Sequence, residues 1–235
     1  MSTISNNYLI TLDSVTCRFR IGKGVIRRKE YIALKDISLQ IVHGETLGLI
    51  GRNGSGKSTL LKLIGGIYRP DAGRIHFRSR VSVSLLSLHA GMDPELPGSM
   101  NALLGAMFLG FSKQEAMAKL DRIIAFAELE DWRNEPLKSY STGMRARLGF
   151  AVALEMSPDV LLIDEVLGVG DQRFKQKSVQ AMKDKMLSDQ TIVFVSHTLP
   201  QVKELCDRVV WLEQGGLQMI GETEEVIQAY QQAQQ

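Results

Sequence analysis

The chain has 235 residues, 44% of them hydrophobic, which is enough for one good core with a subdomain set into it and room for a single ligand site. Its 28 basic and 26 acidic residues leave a formal charge of +2, which argues against a dedicated nucleic-acid binder. No run reaches the roughly eighteen apolar residues of a membrane span, residues 1–9 lack a signal-peptide pattern, and Cys17 and Cys206, with no metal-ligand spacing, read as reduced thiols of a cytoplasmic protein.

Residues 9–15 alternate apolar and polar side chains and read as a strand ending at Cys17-Arg18-Phe19-Arg20. The Phe19 ring could face a purine there; an edge-strand aromatic packed on the core is an equal reading, and Tyr31 competes for the same role. Residues 21–30, basic and glycine-containing, read as a long hairpin connection. A second strand covers 37–42, and His43-Gly44-Glu45 turns into a third at 46–50.

Gly51-Arg52-Asn53-Gly54-Ser55-Gly56-Lys57-Ser58-Thr59 then follows the pattern G-x-x-x-x-G-K-[ST], between that apolar strand and an apolar helix at 59–64. Gly51, Gly54 and Gly56 have no Cβ, so the backbone N–H groups of this loop, including those of Arg52, Asn53 and Ser55, can turn inward on a polyphosphate. The following helix adds the positive end of its dipole. Lys57 would place a cation between β and γ phosphates, Ser58 would hold the bridging Mg²⁺, and Thr59 would add an α-phosphate contact.

Gly65-Gly66 stops the helix, and Arg69-Pro70-Asp71-Ala72-Gly73 makes a turn into short strands at 75–77 and 81–86. From 87 to about 139 the character changes to a helical insert, with helices predicted at 100–109 and 114–128. Ala116, Leu120, Ile123, Ile124 and Ala127 form a core-facing stripe on the second. Tyr140-Ser141-Thr142-Gly143-Met144-Arg145 precedes a helical pattern at 148–155. The Ser141 hydroxyl and the Gly143 N–H could be aimed at an anion, although an ordinary helix cap explains them on local grounds.

Residues 160–163 are a continuous apolar run, as in a strand buried on both faces, and they lead into Asp164-Glu165. Two carboxylates are costly there unless something uses them, and a strand end beside a phosphate loop is where an open α/β sheet places ligands. Asp164 suits the Mg²⁺ shell, and Glu165 is placed to orient or deprotonate the water that attacks the γ-phosphate; two solvated loop acids are the plain alternative. Gly168-Val169-Gly170-Asp171 is another glycine-rich turn, before an amphipathic helix at 172–186. Residues 191–195 form a buried strand ending at Ser196-His197, where His197 could bond the γ-phosphate or the attacking water. Residues 205–207 close a helix, 209–212 and 217–220 form a hairpin, and Thr223 is expected to cap a short terminal helix with Glu224 and Glu225 in its first turn.

In this order the motifs resemble the nucleotide-binding subunit of ABC transporters, over nearly the whole chain. The resemblance implies an α/β fold, a P-loop NTPase core with an antiparallel β subdomain and an inserted α-helical subdomain at about 87–157. It implies ATP and Mg²⁺ as cofactors, with Glu165 and His197 catalytic and Ser58 and Asp164 on the metal. It also implies a head-to-tail homodimer in which Ser141, Thr142 and Gly143 contact ATP held by a second copy, and Asp171 joins the two sites. One subunit alone should hydrolyse ATP poorly.

The Tyr-Ser-Thr-Gly-Met signature, residues 85–97 and 164–174, and the basic connection are similar to the branch that exports polysaccharides of the capsule, O-antigen and teichoic acid types. That likeness implies an integral membrane permease, in two copies, with this chain peripheral on the cytoplasmic face of the inner membrane and no nucleic acid bound. A carbohydrate-binding domain after the ATPase is not expected. Two departures stand out. No glutamine lies between Gln40 and Gln114, where the family places one on Mg²⁺, so Ser87 or His89 occupies that neighbourhood. Met144 stands where a glutamine amide would bond, and cannot reproduce it. An ABC ATPase for another substrate, a soluble ABC protein acting on ribosomes or DNA, and a non-ABC P-loop enzyme such as a small-molecule kinase, which would have no use for the signature, are the competing readings. The second usually carries two ATPase units or a long coiled coil, and heptad runs are absent.

Overall fold

The computed structural model describes residues 7–21, 29–86, 91–164 and 169–234. Its elements in chain order are β1 (Tyr8–Ile21), β2 (Lys29–Val42), β3 (Thr46–Ile50), α1 (Lys57–Ile64), β4 (Ala72–Phe77), β5 (Val83–Leu85), α2 (Gly98–Phe108), α3 (Lys113–Ala127), α4 (Thr142–Met156), β6 (Val160–Asp164), α5 (Gln172–Met186), β7 (Thr191–Val195), α6 (Leu199–Leu205), β8 (Arg208–Glu213), β9 (Gly216–Glu222) and α7 (Thr223–Gln232). They divide between two units, one of residues 1–81, 162–165 and 186–235 and the other of residues 82–161 and 166–185.

In the first unit β3 lies between β7 and β8 and runs parallel to both, in the strand order β6-β7-β3-β8-β9. All residues of β3 and of β7 are buried. Burial on both faces is why these segments read as unbroken apolar runs rather than as an alternation. β9 returns antiparallel to β8 through Gln214 and Gly215, whose φ angles are 47° and 80°. Two left-handed residues in succession match the right-handed twist of a tight hairpin.

A separate antiparallel sheet has the order β2-β1-β4. β1 and β2 are each 14 residues long, well beyond the alternating stretches at 9–15 and 37–42. The cause is irregular pairing: register shifts between Leu12 and Val15 and again up to Arg18, with Ser14 and Asp36 in left-handed backbone, break the two-residue period while the strands stay paired. Residues 22–28 of the predicted basic connection lie outside the described residues. Thr223 does not cap α7. Glu222 holds the cap position, and the Thr223 hydroxyl instead donates to the Cys206 carbonyl at 2.6 Å, satisfying the end of α6.

The second unit is helical. α3 opens with a capping box: Ser112 Oγ accepts from the Glu115 N–H at 3.2 Å and the Glu115 carboxylate accepts from the Ser112 N–H at 2.8 Å. Ala116, Ile123, Ile124 and Ala127 are buried, with Leu120 partly so, against Ala102 and Ala106 of α2 and Leu148, Ala151 and Val152 of α4. The polar stretch before α2 is folded onto it by the buried Asn101 amide, which donates to the carbonyls of Asp93, Leu96 and Pro97 and accepts from the Asp93 N–H. β5 stands beside the start of β6, where the Val160 N–H donates to the Ser82 carbonyl. α4 begins at Thr142 rather than at 148, because its first turns carry Gly143, Arg145 and Arg147 and show no apolar period to read.

Candidate functional site

The first unit holds a cleft of about 300 Å³ lined by Tyr31, Ala33, Asn53, Gly54, Gly56, Lys57, Ser58, Thr59 and His197. Two stretches read separately in the sequence, the 51–59 loop and the His197 strand end, therefore meet in one place. Strand pairing is the reason: β3 and β7 are parallel neighbours, with Leu49 opposite Val195, so the loop after one and the residues after the other leave the sheet at the same rim.

The loop conformation depends on glycine at defined points. Gly51 and Gly56 have φ of 145° and 107°, and a side chain at Gly51 would strike the Leu212 carbonyl and approach the Ser55 hydroxyl to 2.7 Å. At Gly56 a Cβ would lie 2.7 Å from the Ala33 carbonyl oxygen and from Leu34 Cδ2. α1 starts directly after Gly56, with no side-chain cap and no acidic residue in its first turn. Its first N–H groups and the positive end of its dipole are thus left for an anion in the cleft. Lys57 is buried to 6% exposure, and its Nζ donates to the carbonyls of Gly51 at 2.8 Å and Arg52 at 3.0 Å, so the cation is held against the mouth of the loop. The Ser58 side chain is exposed and Thr59 is half-buried.

The loop is braced from behind by residues that the motif does not include. The Gly215 N–H donates to the Ser55 carbonyl at 3.1 Å, and the Gly215 carbonyl accepts from the Lys35 N–H at 2.8 Å. The hairpin between β8 and β9 and the Ala33-Leu34 segment of β2 therefore hold the cradle between them. No local pattern points to this brace, because Gly215 reads only as a turn residue until the strands are assembled.

Of the two candidate aromatics, Tyr31 lines the cleft, 45% exposed, and its hydroxyl donates to the Gly54 carbonyl at 3.3 Å. Phe19 is its direct partner across β1 and β2, so the two rings share a face of the sheet, and Phe19 packs edge-on to Tyr68 with centroids 5.5 Å apart. Asp164 ends β6 and is half-buried. Glu165, Ser87 and His89 lie outside the described residues. Among the described residues no cluster of three or more acidic, histidine or cysteine side chains could hold a metal by itself. The oxygen donors of Ser58 and Asp164 fit Mg²⁺, which takes one or two protein oxygens and completes its shell from phosphate and water.

The remaining predicted site residues belong to the second unit. Ser141 is the N-cap of α4, its Oγ accepting from the Met144 N–H at 3.2 Å, with Thr142 and Gly143 in the first turn. Met144 packs against the helical core, which accounts for an apolar residue at a position that begins a helix. Asp171 caps α5 in the same manner: its carboxylate accepts from the Phe174 N–H at 3.0 Å, and its carbonyl accepts from the Lys175 N–H. That hydrogen bond, followed by the charges of Arg147 and Arg173, holds the Asp171 carboxyl below the usual carboxylate range. Both turns are exposed and both stand at helix N-termini, the arrangement that presents backbone N–H groups to an anion.

Comparison with known proteins agrees with this geometry. The family model described as ABC transporter matches residues 34–168. The chain is 43% identical over 209 residues to the O-antigen export system ATP-binding protein RfbB of Klebsiella pneumoniae, covering 89% of this chain and 85% of that one. It is 44% identical over 232 residues to RfbB of Myxococcus xanthus, covering 98% of this chain and 53% of that protein. Against the teichoic acids export ATP-binding protein TagH of Levilactobacillus brevis it is 40% identical over 241 residues, covering 97% of this chain and 66% of TagH. Among solved structures, a dimeric bacterial ABC transporter cassette, MJ0796, superposes with a TM-score of 0.71 at 25% identity, covering 92% of this chain and 99% of that one.

Proposed function

Because this chain belongs to the ABC transporter family of ATP-hydrolysing subunits, we propose that it powers a membrane permease that exports a polysaccharide of the capsular, O-antigen or teichoic acid type. The observation that carries the ATPase part is the cleft that joins the phosphate loop to His197. What narrows the cargo is the similarity, over most of the chain, to proteins named for O-antigen and teichoic acid export.

In this reading the loop N–H groups of residues 51–56 and the start of α1 grip the polyphosphate, with Lys57 swinging from its own loop carbonyls to the β and γ phosphates. Thr59 meets the α-phosphate, and the face shared by Phe19 and Tyr31 stacks on adenine. Ser58 and Asp164 hold Mg²⁺, which when bound neutralises charge developing on the phosphate oxygens. Glu165 accepts the proton of the attacking water and His197 bonds the γ-phosphate. A second copy of the chain contributes Ser141, Thr142 and Gly143 to close each site, with Asp171 at the junction. Two such sites in a head-to-tail homodimer, docked on the cytoplasmic face of the inner membrane against two permease copies, would convert closure and reopening into export. No helix among the described residues is long and apolar enough to cross a membrane, so the permease supplies the path.

Two measurements test this. Glu165→Gln should bind ATP, accumulate as a closed dimer and turn over about two to three decades more slowly, the cost of removing one preorganised group; an active monomer would refute the site. A tagged pull-down from detergent-solubilised membranes of the native host should recover a multi-span permease in near-equal amount. Recovery only from the soluble fraction, with ribosomes or nucleic acid attached, would refute export.

A further inference from the structure

The second unit contains a charged and aromatic cluster that the nucleotide chemistry does not use. Lys177 of α5 donates from Nζ to the Phe126 carbonyl at 2.8 Å and to the Glu128 carboxylate at 3.0 Å, and the same Nζ lies 4.7 Å from the centre of the Phe126 ring and 5.6 Å from that of Phe174. Arg147 of α4 places its guanidinium 5.4 Å from the Phe174 ring centre and 3.7 Å from the other Glu128 oxygen. Glu128 ends α3 in left-handed backbone, φ 56°, ψ 52°, an uncommon conformation for a residue with a side chain. Three helices thus meet on one carboxylate and one ring.

These contacts reach both of the turns that face outward from this unit. Arg147 is in the second turn of α4, the helix that Ser141 caps. Phe174 is fully buried, and its N–H is the one bonded by the Asp171 carboxylate. Gly170, φ 82°, lies so close to Arg147 that a Cβ there would be 3.2 Å from Arg147 Cγ. The Val169 N–H donates to the buried Ser178 hydroxyl, which anchors the same turn to the body of α5. The Lys177 hydrogen bond, then the nearby charges of Lys177, Arg173 and Arg147, hold the Glu128 carboxyl below the usual carboxylate range, so it stays ionised. With Glu128 and Lys177 each about one third exposed, the ion pairs by themselves add little to stability. What the charged set adds is direction: each cation is fixed on a ring face and an oxygen at once.

We propose that Lys177, Glu128 and Arg147 are positioning residues that lock the Asp171 turn to the Ser141–Gly143 end of α4, so that both meet the second copy of the chain as one body. The inference rests on the proposed homodimer, in which those two turns close the partner's ATP site. It assigns to these residues no contact with ATP. They act on the step in which two loaded copies join, and leave nucleotide capture by the phosphate loop alone.

The test uses the full chain. In a Glu165→Gln background, ATP-dependent dimerisation is followed by light scattering, and ATP affinity of the monomer by a fluorescent analogue. Lys177→Gln keeps a donor for the Phe126 carbonyl but loses the charge. It should weaken dimerisation on the order of tenfold, as loss of a charge-assisted contact does, with ATP affinity within about twofold of the parent. In otherwise wild-type protein kcat should fall by a similar factor at unchanged KM. Lys177→Arg, which can reach both the oxygens and the rings, should restore most of the loss, whereas a residue that only filled space would not discriminate in this way. Glu128→Gln gives a second reading from the opposite side of the cluster. Dimerisation of Lys177→Gln and Glu128→Gln equal to that of the parent overturns the inference alone. A parent that stays monomeric with ATP refutes the dimer itself, and the inference with it.

Discussion

Replacing Gly215 by alanine should weaken ATP binding, although Gly215 lies far along the chain from the phosphate loop. Its φ of 80° costs a residue with a Cβ about 1–2 kcal/mol. The new Cβ would lie 2.8 Å from the Ala33 carbonyl oxygen, where ordinary contact begins at 3.4 Å, so two backbone segments must part by the difference, about 0.6 Å. Overpacking of this kind adds about 1–3 kcal/mol, for a total of about 2–5 kcal/mol. Part of the displacement falls on the hydrogen bond from the Gly215 N–H to the Ser55 carbonyl. Its loss is worth about 1 kcal/mol, or about fivefold in Kd for ATP. Gly54→Ala is the control. Gly54 has the same φ of 80°, but a Cβ there meets nothing within 4 Å, so only the conformational cost of about 1–2 kcal/mol applies. Thermal melting should place Gly215→Ala below Gly54→Ala by about 2–12 °C, the conversion of about 1–3 kcal/mol for a chain of this size. Titration with a fluorescent ATP analogue should show the fivefold loss for Gly215→Ala. Equal melting temperatures together with an unchanged Kd would refute the idea that this hairpin braces the cradle.

Two further outcomes are expected. Ser141→Asn should keep its stability to within about 0.3 kcal/mol of wild type, since asparagine caps a helix as well as serine does, while Ser141→Ala loses about 1 kcal/mol. If the hydroxyl also serves the partner's ATP, kcat falls in both variants; full activity of Ser141→Asn would reduce Ser141 to a cap. The thiols should be inert. Burial, with a smaller contribution from Asp207, pushes Cys206 up to about 12, and burial, then Asp71, raises Cys17. Iodoacetamide at pH 8 should label Cys206 on the order of a thousandfold more slowly in native than in urea-unfolded protein, read by mass spectrometry. Because the folded thiol keeps its proton longer than the unfolded one, its contribution to stability is whole below the ordinary value of 9.0 and is lost as pH rises towards 12. Cys206→Ala should flatten that alkaline slope.

The candidate site residues are legible because each is announced locally. The 51–59 loop has its glycines, lysine and hydroxyls in fixed spacing, and the strands at 160–163 and 191–195 are apolar runs that stop at Asp164 and at His197. Helix starts were less legible. α4 begins at Thr142, where glycine and arginines give no apolar period, and Ser141 therefore sits directly on the helix instead of before it. The first strand is legible almost to its full length, from 9 to the Cys17–Arg20 stretch, whereas the pattern at 37–42 covers less than half of β2 (Lys29–Val42), because Asp36 in left-handed backbone interrupts the alternation. Thr223 carries the right chemistry for a cap, yet a carbonyl at the end of α6 takes its hydroxyl, and no local rule weighs that competitor.

The phosphate-loop pattern, the apolar runs that lead to Asp164 and to Ser196-His197, and the helical spacing after residue 87 are each written in neighbouring residues, and so can be read from the chain alone. That His197 shares a cleft with the loop, that Gly215 braces Ser55, that Tyr31 rather than Phe19 lines the cleft, and that Lys177, Glu128 and Arg147 converge emerges in the folded chain alone. Those depend on strand order, pairing register and the packing of helices distant in sequence, and side chains far apart in the chain leave no periodic trace of the partner they will meet.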